Sequence, residues 1–470
     1  MVFSSLQFIF LFLPCFLCVY YAVPFAWKNT VLLFGSLIFY ALGTLDKPEY
    51  IVLLILSVLV NFVLASKISK TEKNRKALLI ISLVYNFAWL FLFKYATFFL
   101  SGVNQLIALI PKTNFQFRAP ELLLPTGISF YTFQAVSYLI DVYRKTCAAE
   151  TSPIRLGTYI CMFPQLIAGP IVTYGQVAKQ LQNRTHSVQL FLSGLKLFIL
   201  GLGSKVLLAN QLGGLWSDIN AIGYDSISTP LAWMGIAAYS FQIYFDFWGY
   251  SLMAIGLGKM LGFQLPKNFC FPYMSVSMTE FWRRWHITLG SWFREYVYIP
   301  LGGSRNGKWK TYRNLFVVWL LTGLWHGAHI NFLLWGLFIF AVIAVEKAGL
   351  KKFLDSHKAL GHIYMLFLIP LTWTLFAITD LSQLSLFLGR LFPFFTSAAA
   401  PVFRYDFLKY IKEYGVLLLC GLLFSTKLPA KLYKKINDNW VGTLLLLILF
   451  WASVYCLYIG LNDPFLYFRF

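Results

Sequence analysis

The sequence predicts an all-α polytopic membrane protein. It would have roughly 11 transmembrane helices with re-entrant and interfacial helices added, in one membrane-embedded domain over residues 1–470. Three observations carry that expectation. Hydrophobic residues make up 59% of the chain and charged residues 12%, with a mean hydropathy of +0.67. Soluble domains carry about 25% charge, and half of that cannot cover a water-facing surface. The apolar residues gather into runs of about 20, continuous rather than alternating, which points to helices and not to a barrel. Finally, the 39 Lys and Arg outnumber the 18 Asp and Glu, for a net charge of +21, and they sit in short segments between the runs. That is the pattern of cytoplasmic loops. No arginine-rich arm or stacking platform accompanies the charge, so no nucleic acid partner is expected.

The runs fall at about 3–22, 29–45, 50–66, 77–100, 122–140, 156–174, 188–209, 229–257, 315–346, 362–379, 414–426 and 441–460. The first, MVFSSLQFIFLFLPCF, has no basic n-region and no small-residue cleavage site, and reads as a retained span. Cys15 and Cys18 have CxxC spacing there, but no second pair or histidine is near. They read as apolar packing residues, and no metal is expected. The loop KISKTEKNRK at 67–76 is the clearest cytoplasmic marker, and counting back from it places the N-terminus outside. Arg144 and Lys145, then 347–352 and 427–435, fall inside by the same count. The tail 463–470 and a loop over 381–413, able to carry a surface helix, fall outside and are candidate docking surfaces. In FPQLIAGPIV, the residues Gln165, Gly169 and Pro170 suggest a kinked or re-entrant segment facing a cavity.

Two stretches break the pattern. Residues 259–313 are too basic to span and too aromatic for a plain loop, so an interfacial element on the cytoplasmic side is expected. Drawn as one helix, 281–303 sets Trp282, Trp285, Leu289, Trp292 and Tyr296 on one face and Arg283, Arg284, Ser291, Arg294 and Glu295 opposite, with His286 at the boundary. The arginines suit lipid phosphates or the phosphates of a cytosolic cofactor. Residues 315–346 are flanked by basic segments at both ends, and the run is too short for two full spans. Two half-length helices or a re-entrant hairpin would resolve this, with the break at Gly323-Leu-Trp325-His326-Gly327-Ala-His329.

That break holds the leading candidate for chemistry. An ionisable group at membrane depth is costly, and imidazole suits proton transfer near neutral pH, so His326 reads as a functional centre, with a packing histidine as the alternative. His329 reads as structural. His286 reads as a base, a positioning residue or a structural donor. Asp246, inside the run 229–257, reads as a carboxylate paired with an arginine between helices or as a catalytic group. The chain has no P-loop, GxSxG, HExxH or metal-spaced cluster.

Four blocks together resemble the membrane-bound O-acyltransferase family: LPTGISFYTFQAVSYLIDVYR, FPQLIAGPI, FWRRWHITLGSWFREYVYIPLGG and LTGLWHGAHINFLLWG. The similarity runs over about 125–335 and more loosely over the whole chain. The PLGG ending resembles the alginate O-acetylation branch more than the branch that transfers D-alanine to teichoic acids. The resemblance implies a ring of membrane helices around a central funnel in a bacterial inner membrane. It implies acetyl-CoA as a donor from the cytosol, and Arg283, Arg284, Arg294 and Trp285 of the basic aromatic stretch are then the residues expected to bind it. It makes His326 the essential histidine, as base or acyl relay, and His286 the second. It also implies an extracytoplasmic acceptor protein of the SGNH-hydrolase kind and O-acetylation of an extracellular or cell-wall polysaccharide. The family block DFSGYSDMA reads DFWGYSLMA here, with Trp248 and Leu252 at the changed positions, which puts alginate in doubt as acceptor. D-alanyl transfer is the nearest alternative. A polysaccharide or lipid transporter is the alternative of another class, and the lack of an internal inverted repeat counts against it.

Overall fold

The computed structural model describes residues 1–110, 115–118, 122–394, 403–460 and 466, and these are helical with no β-strand among them. Seven of the described helices are long and apolar enough to cross a membrane, or eight if Phe407–Phe424 and Lys427–Ile436, bent by 76°, form one span. The run at 229–257 forms one helix of 32 residues, Thr229–Met260, and the remaining apolar runs become shorter or broken helices. The run at 156–174 is divided into Pro153–Cys161 and Phe163–Leu166, and the chain then leaves the helix until Tyr174–Gln182. Gly169 makes that break possible, because a Cβ there would lie 2.4 Å from the carbonyl oxygen of Pro164. Cys15 and Cys18 are exposed and do not pack inside the protein, since they sit on the outer face of Leu13–Ala22. Residues 463–465, 467–470 and 395–402, within the two expected docking surfaces, lie outside the described residues.

The chain divides into two compact units, Met1–Leu195 with Ala254–Pro266 and Lys196–Met253 with Lys267–Phe470. In the first, helices Glu49–Lys70 and Arg75–Lys94 are joined by Asn61 and Asn86, each amide donating to the other's oxygen at 3.1 and 2.8 Å. Lys28 and Arg184 are buried without a carboxylate partner among the described residues. They are held by helix ends instead: Lys28 donates to the carbonyl of Tyr20 at 2.8 Å, and Arg184 donates to those of Gln180 at 3.2 Å and Leu261 at 3.1 Å. Each helix C-terminus carries about half a negative charge, so three of them offset part of the two cations' charge, and Arg184 donates as well to the Asn29 carboxamide oxygen at 2.8 Å.

Glu150 is the buried carboxylate of this unit. Arg155 reaches it at 2.6 Å, the Tyr174 hydroxyl at 2.5 Å and the Ser152 N–H at 2.9 Å. Burial alone would raise its pKa, but these bonds and the guanidinium charge outweigh burial and hold it at about 2, below its ordinary 4.5. A depressed carboxylate stabilises the fold above its unfolded pKa, and the contribution is lost as pH falls toward the folded one. The melting-temperature advantage of wild type over Glu150→Gln is therefore expected to be full at pH 7 and to shrink as pH falls from 4.5 toward 2. Thermal unfolding in detergent checks this, and an advantage that does not vary with pH would refute it.

In the second unit, Gly201 and Gly249 bring two helices together, since a Cβ on Gly201 would meet the Gly249 carbonyl oxygen at 2.4 Å. One turn further, the π-helical segment Ser204–Ala209 carries Lys205. The stretch 281–303 is not the single helix expected. It forms Met278–Arg284, Ile287–Phe293 and the π-turn Arg294–Tyr298, and the first break is at His286, whose φ is +42°. The carboxylate of Glu346 holds the N-terminus of Met278–Arg284, accepting from the N–H groups of Met278 (2.6 Å) and Thr279 (2.8 Å). Helix Lys427–Ile436 is amphipathic, with Lys427, Lys431, Lys434 and Lys435 along one side and exposed Leu428 and Leu432 on another, the pattern of a helix lying in a membrane surface.

Candidate active site

The break expected within 315–346 is present. Helix Lys308–His326 ends on His326, and helix Ile330–Val345 begins after Gly327 and Ala328, with His329 exposed at its N-cap. The two arms are 19 and 16 residues long, about 28 and 24 Å, so they are longer than the half-helices expected. The first arm starts at Lys308, inside the stretch that reads as interfacial. Glycines let the arms touch. A Cβ on Gly323 would lie 2.4 Å from the carbonyl oxygen of Phe332, and one on Gly336 would lie 2.5 Å from that of Trp319.

The His326 ring is buried and met edge-on by Trp325, Trp335 and Phe376, at centroid distances of 4.9, 5.0 and 5.1 Å. It lines a cavity of about 20 Å³, room for about one water, with Asp246, Phe247, Trp282, Trp285, Trp373 and Leu466 among the other walls. One oxygen of Asp246 accepts from Lys205 at 2.7 Å and the other from the Leu466 N–H at 3.0 Å. Both partners of the ion pair are buried, with side chains 1% and 3% exposed. One wall of the cavity is thus charged and the rest is largely aromatic. An apolar wall of this kind strengthens any charge interaction formed beside it.

His286 does not line this cavity. Its ring packs edge-on against Phe247 at 4.7 Å, which does, and lies 6.0 Å from Trp325. Full burial lowers its pKa to about 3, so the ring is neutral. Among the four residues expected beside a donor, Trp285 is buried in the cavity wall, and Arg283 and Arg294 are exposed. Arg284 is engaged, pairing with Glu280 at 2.5 Å and donating to the Phe271 carbonyl at 3.3 Å.

The family model described as MBOAT, the membrane-bound O-acyltransferase family, matches residues 148–357. A probable alginate O-acetylase of Pseudomonas syringae pv. tomato is 40% identical over 84% of this chain and 76% of its own length. The chain belongs to the membrane-bound O-acyltransferase family. A peptidoglycan O-acetyltransferase of Helicobacter pylori is 35% identical over 82% of this chain and 78% of its own. A teichoic acid D-alanyltransferase of Bacillus subtilis is more distant, 30% identical over 45% and 56%. The protein is an acyltransferase embedded in a membrane by many helices.

Several residues of this candidate site were not among its expected members. Lys205, rather than an arginine, is the partner of Asp246. The signal was a lysine in the apolar run 188–209, which holds Lys196 and Lys205. Trp373 and Phe376 come from a run that reads only as a span, and nothing local marks Leu466. Trp248, the departure from the family block, stacks on Tyr244 with centroids 5.6 Å apart and planes 6° from parallel. The glycine crossing gives a direct test of the hairpin in this acyltransferase. Gly323→Ala is expected to destabilise by about 1–3 kcal/mol, because the atom in the way is a backbone oxygen that cannot swing aside. Gly175→Ala, with open space around it, is the control and should change melting little. Equal shifts in the two melting curves would count against the crossing.

Proposed function

We propose that this acyltransferase takes an acetyl group from acetyl-CoA on the cytosolic side of a bacterial inner membrane and passes it across for O-acetylation of an extracytoplasmic polysaccharide. The observation that carries the reading is His326 in a small, largely aromatic cavity at the end of a helix, with a carboxylate in the same wall. An acceptor hydroxyl placed there loses its proton to His326 as its oxygen attacks the thioester carbonyl. The carbon–sulfur bond breaks, and the proton passes on to the departing thiolate. In the relay form, the imidazole carries the acetyl group first and hands it on. The helix C-terminus and Asp246 both favour the cation that forms on the ring in either form. Arg283 and Arg294, exposed on the basic segment, meet the phosphates of the donor, and Trp285 supports the cavity from the same segment. His286 stands behind Phe247 as the second histidine of the site.

The relatives' names support a polymer acceptor: two are named for O-acetylation, of alginate and of peptidoglycan. The last step would fall to an extracytoplasmic protein of the SGNH-hydrolase kind. The orientation that serves this has the N-terminus outside and 67–76 inside, from the distribution of lysine and arginine. Labelled acetyl-CoA given to the cytosolic face of vesicles holding the protein should release thiol and place label on polymer. Mass spectrometry of the quenched reaction, looking for an acetyl group on His326, separates relay from base. A protein that ignores acetyl-CoA and accepts D-alanine from a carrier protein would overturn the acetyl assignment.

A further inference from the structure

Asn268 and His286 form a buried pair whose hydrogen atoms can be placed from the heavy atoms. Asn268 is 1% exposed and His286 2%. The carboxamide oxygen of Asn268 lies 3.2 Å from the backbone nitrogen of Thr288, 2.7 Å from the Thr288 hydroxyl and 3.2 Å from Nδ1 of His286. A backbone N–H can only donate, so the amide atom that faces it is the oxygen and not the nitrogen. An oxygen can only accept, so Nδ1 of His286 carries a proton. A neutral imidazole has one such proton, and Nε2 therefore holds a lone pair. No described residue hydrogen-bonds Nε2, although it is buried. Leaving such an acceptor unmet costs about 1–3 kcal/mol. The backbone adds to the case. His286 sits in the left-handed region (φ +42°), and the N–H of Ile287, the next residue, is tied to the Asn268 carbonyl at 2.9 Å. The ring is thus fixed from both sides, by main chain and by side chain, next to Phe247 of the cavity wall.

We propose that Asn268 is a positioning residue that locks His286 in the Nδ1–H tautomer, so that Nε2 accepts a hydrogen bond from an uncharged O–H or N–H group of a bound substrate. The inference rests on the reading that the His326 cavity is where acyl transfer occurs. It divides the two histidines by chemistry. His326 exchanges a proton or an acyl group, whereas His286 accepts a hydrogen bond and gains neither. The donor's amide N–H groups and the acceptor's hydroxyls both offer the required group.

The test has a spectroscopic and a kinetic part. Protein labelled with nitrogen-15 histidine contains six histidines, and the His286 signals are assigned by their loss in His286→Gln. Wild type should show a protonated Nδ1 and an unprotonated Nε2. Asn268→Asp keeps the accepting oxygen and should keep that pattern. Asn268→Leu removes the oxygen and should mix the tautomers. In thiol release from acetyl-CoA with peptidoglycan fragments present, Asn268→Leu should raise one KM on the order of ten-fold. A rise for acetyl-CoA names the donor as the bonded group, and a rise for the fragments names the acceptor. A protonated Nε2 in wild type, or a folded Asn268→Leu with wild-type tautomer and both KM values unchanged, overturns the proposal. The spectrum needs no turnover, so it stands or falls apart from the transfer reading, which fails separately if His326→Ala keeps full activity.

Discussion

Replacing His326 with alanine is expected to cut acyl transfer by roughly 10²- to 10⁴-fold, the usual contribution of a positioned acid–base group. The protein itself should persist. The ring is one of several in the cavity wall, and its edge-on pairs with Trp325, Trp335 and Phe376 are each worth about 0.5–1.5 kcal/mol. His326→Gln keeps more of that packing and should be equally inactive. Three measurements decide the matter: label transfer from acetyl-CoA, melting temperature, and elution as a single species. A folded alanine variant with wild-type transfer would remove His326 from the chemistry, and the proposed function with it.

Replacing Lys205 with methionine is expected to destabilise the protein by about 3–5 kcal/mol, because it strands a buried carboxylate without its cation. Asp246→Leu removes the carboxylate that faces the ammonium instead and is expected to destabilise as well. The double variant Lys205→Met/Asp246→Leu leaves neither charge behind, and much of the stability should return. Activity gives the second readout. Asp246 lines the cavity while Lys205 does not. Recovery of stability without recovery of transfer would assign the carboxylate to the reaction. Recovery of both would make the pair purely structural. A Lys205→Met protein as stable as wild type would show that the ion pair is not what holds the two helices.

Much of this arrangement is legible in the sequence because the membrane makes polar residues conspicuous. His326 and Asp246 stand out since each interrupts an apolar run, and the break at Gly327 follows from the basic flanks of 315–346. What stays hidden is what depends on partners far along the chain. The face drawn through Trp282, Trp285, Leu289, Trp292 and Tyr296 assumes a continuous helix. It fails at His286, where the Asn268 carbonyl and side chain hold the backbone in a left-handed turn. The arginines of that stretch read as a set, but Glu280 takes Arg284 and leaves Arg283 and Arg294 exposed. Leu466 lies 220 residues from Asp246, and no local pattern predicts their hydrogen bond.

The aromatic lining also gives the enzyme an optical signature of its own. Trp282 lies 4.9 Å from Trp319, 5.5 Å from Trp335 and 6.5 Å from Trp373, which is itself 4.8 Å from Trp285. Indoles this close share their excited states, so the cluster should absorb circularly polarised light as one coupled chromophore rather than five separate ones. A group that enters beside His326 meets Trp282, Trp285 and Trp373, which line the cavity. Occupancy could then be followed in solution by near-ultraviolet dichroism, on unlabelled protein and without turnover.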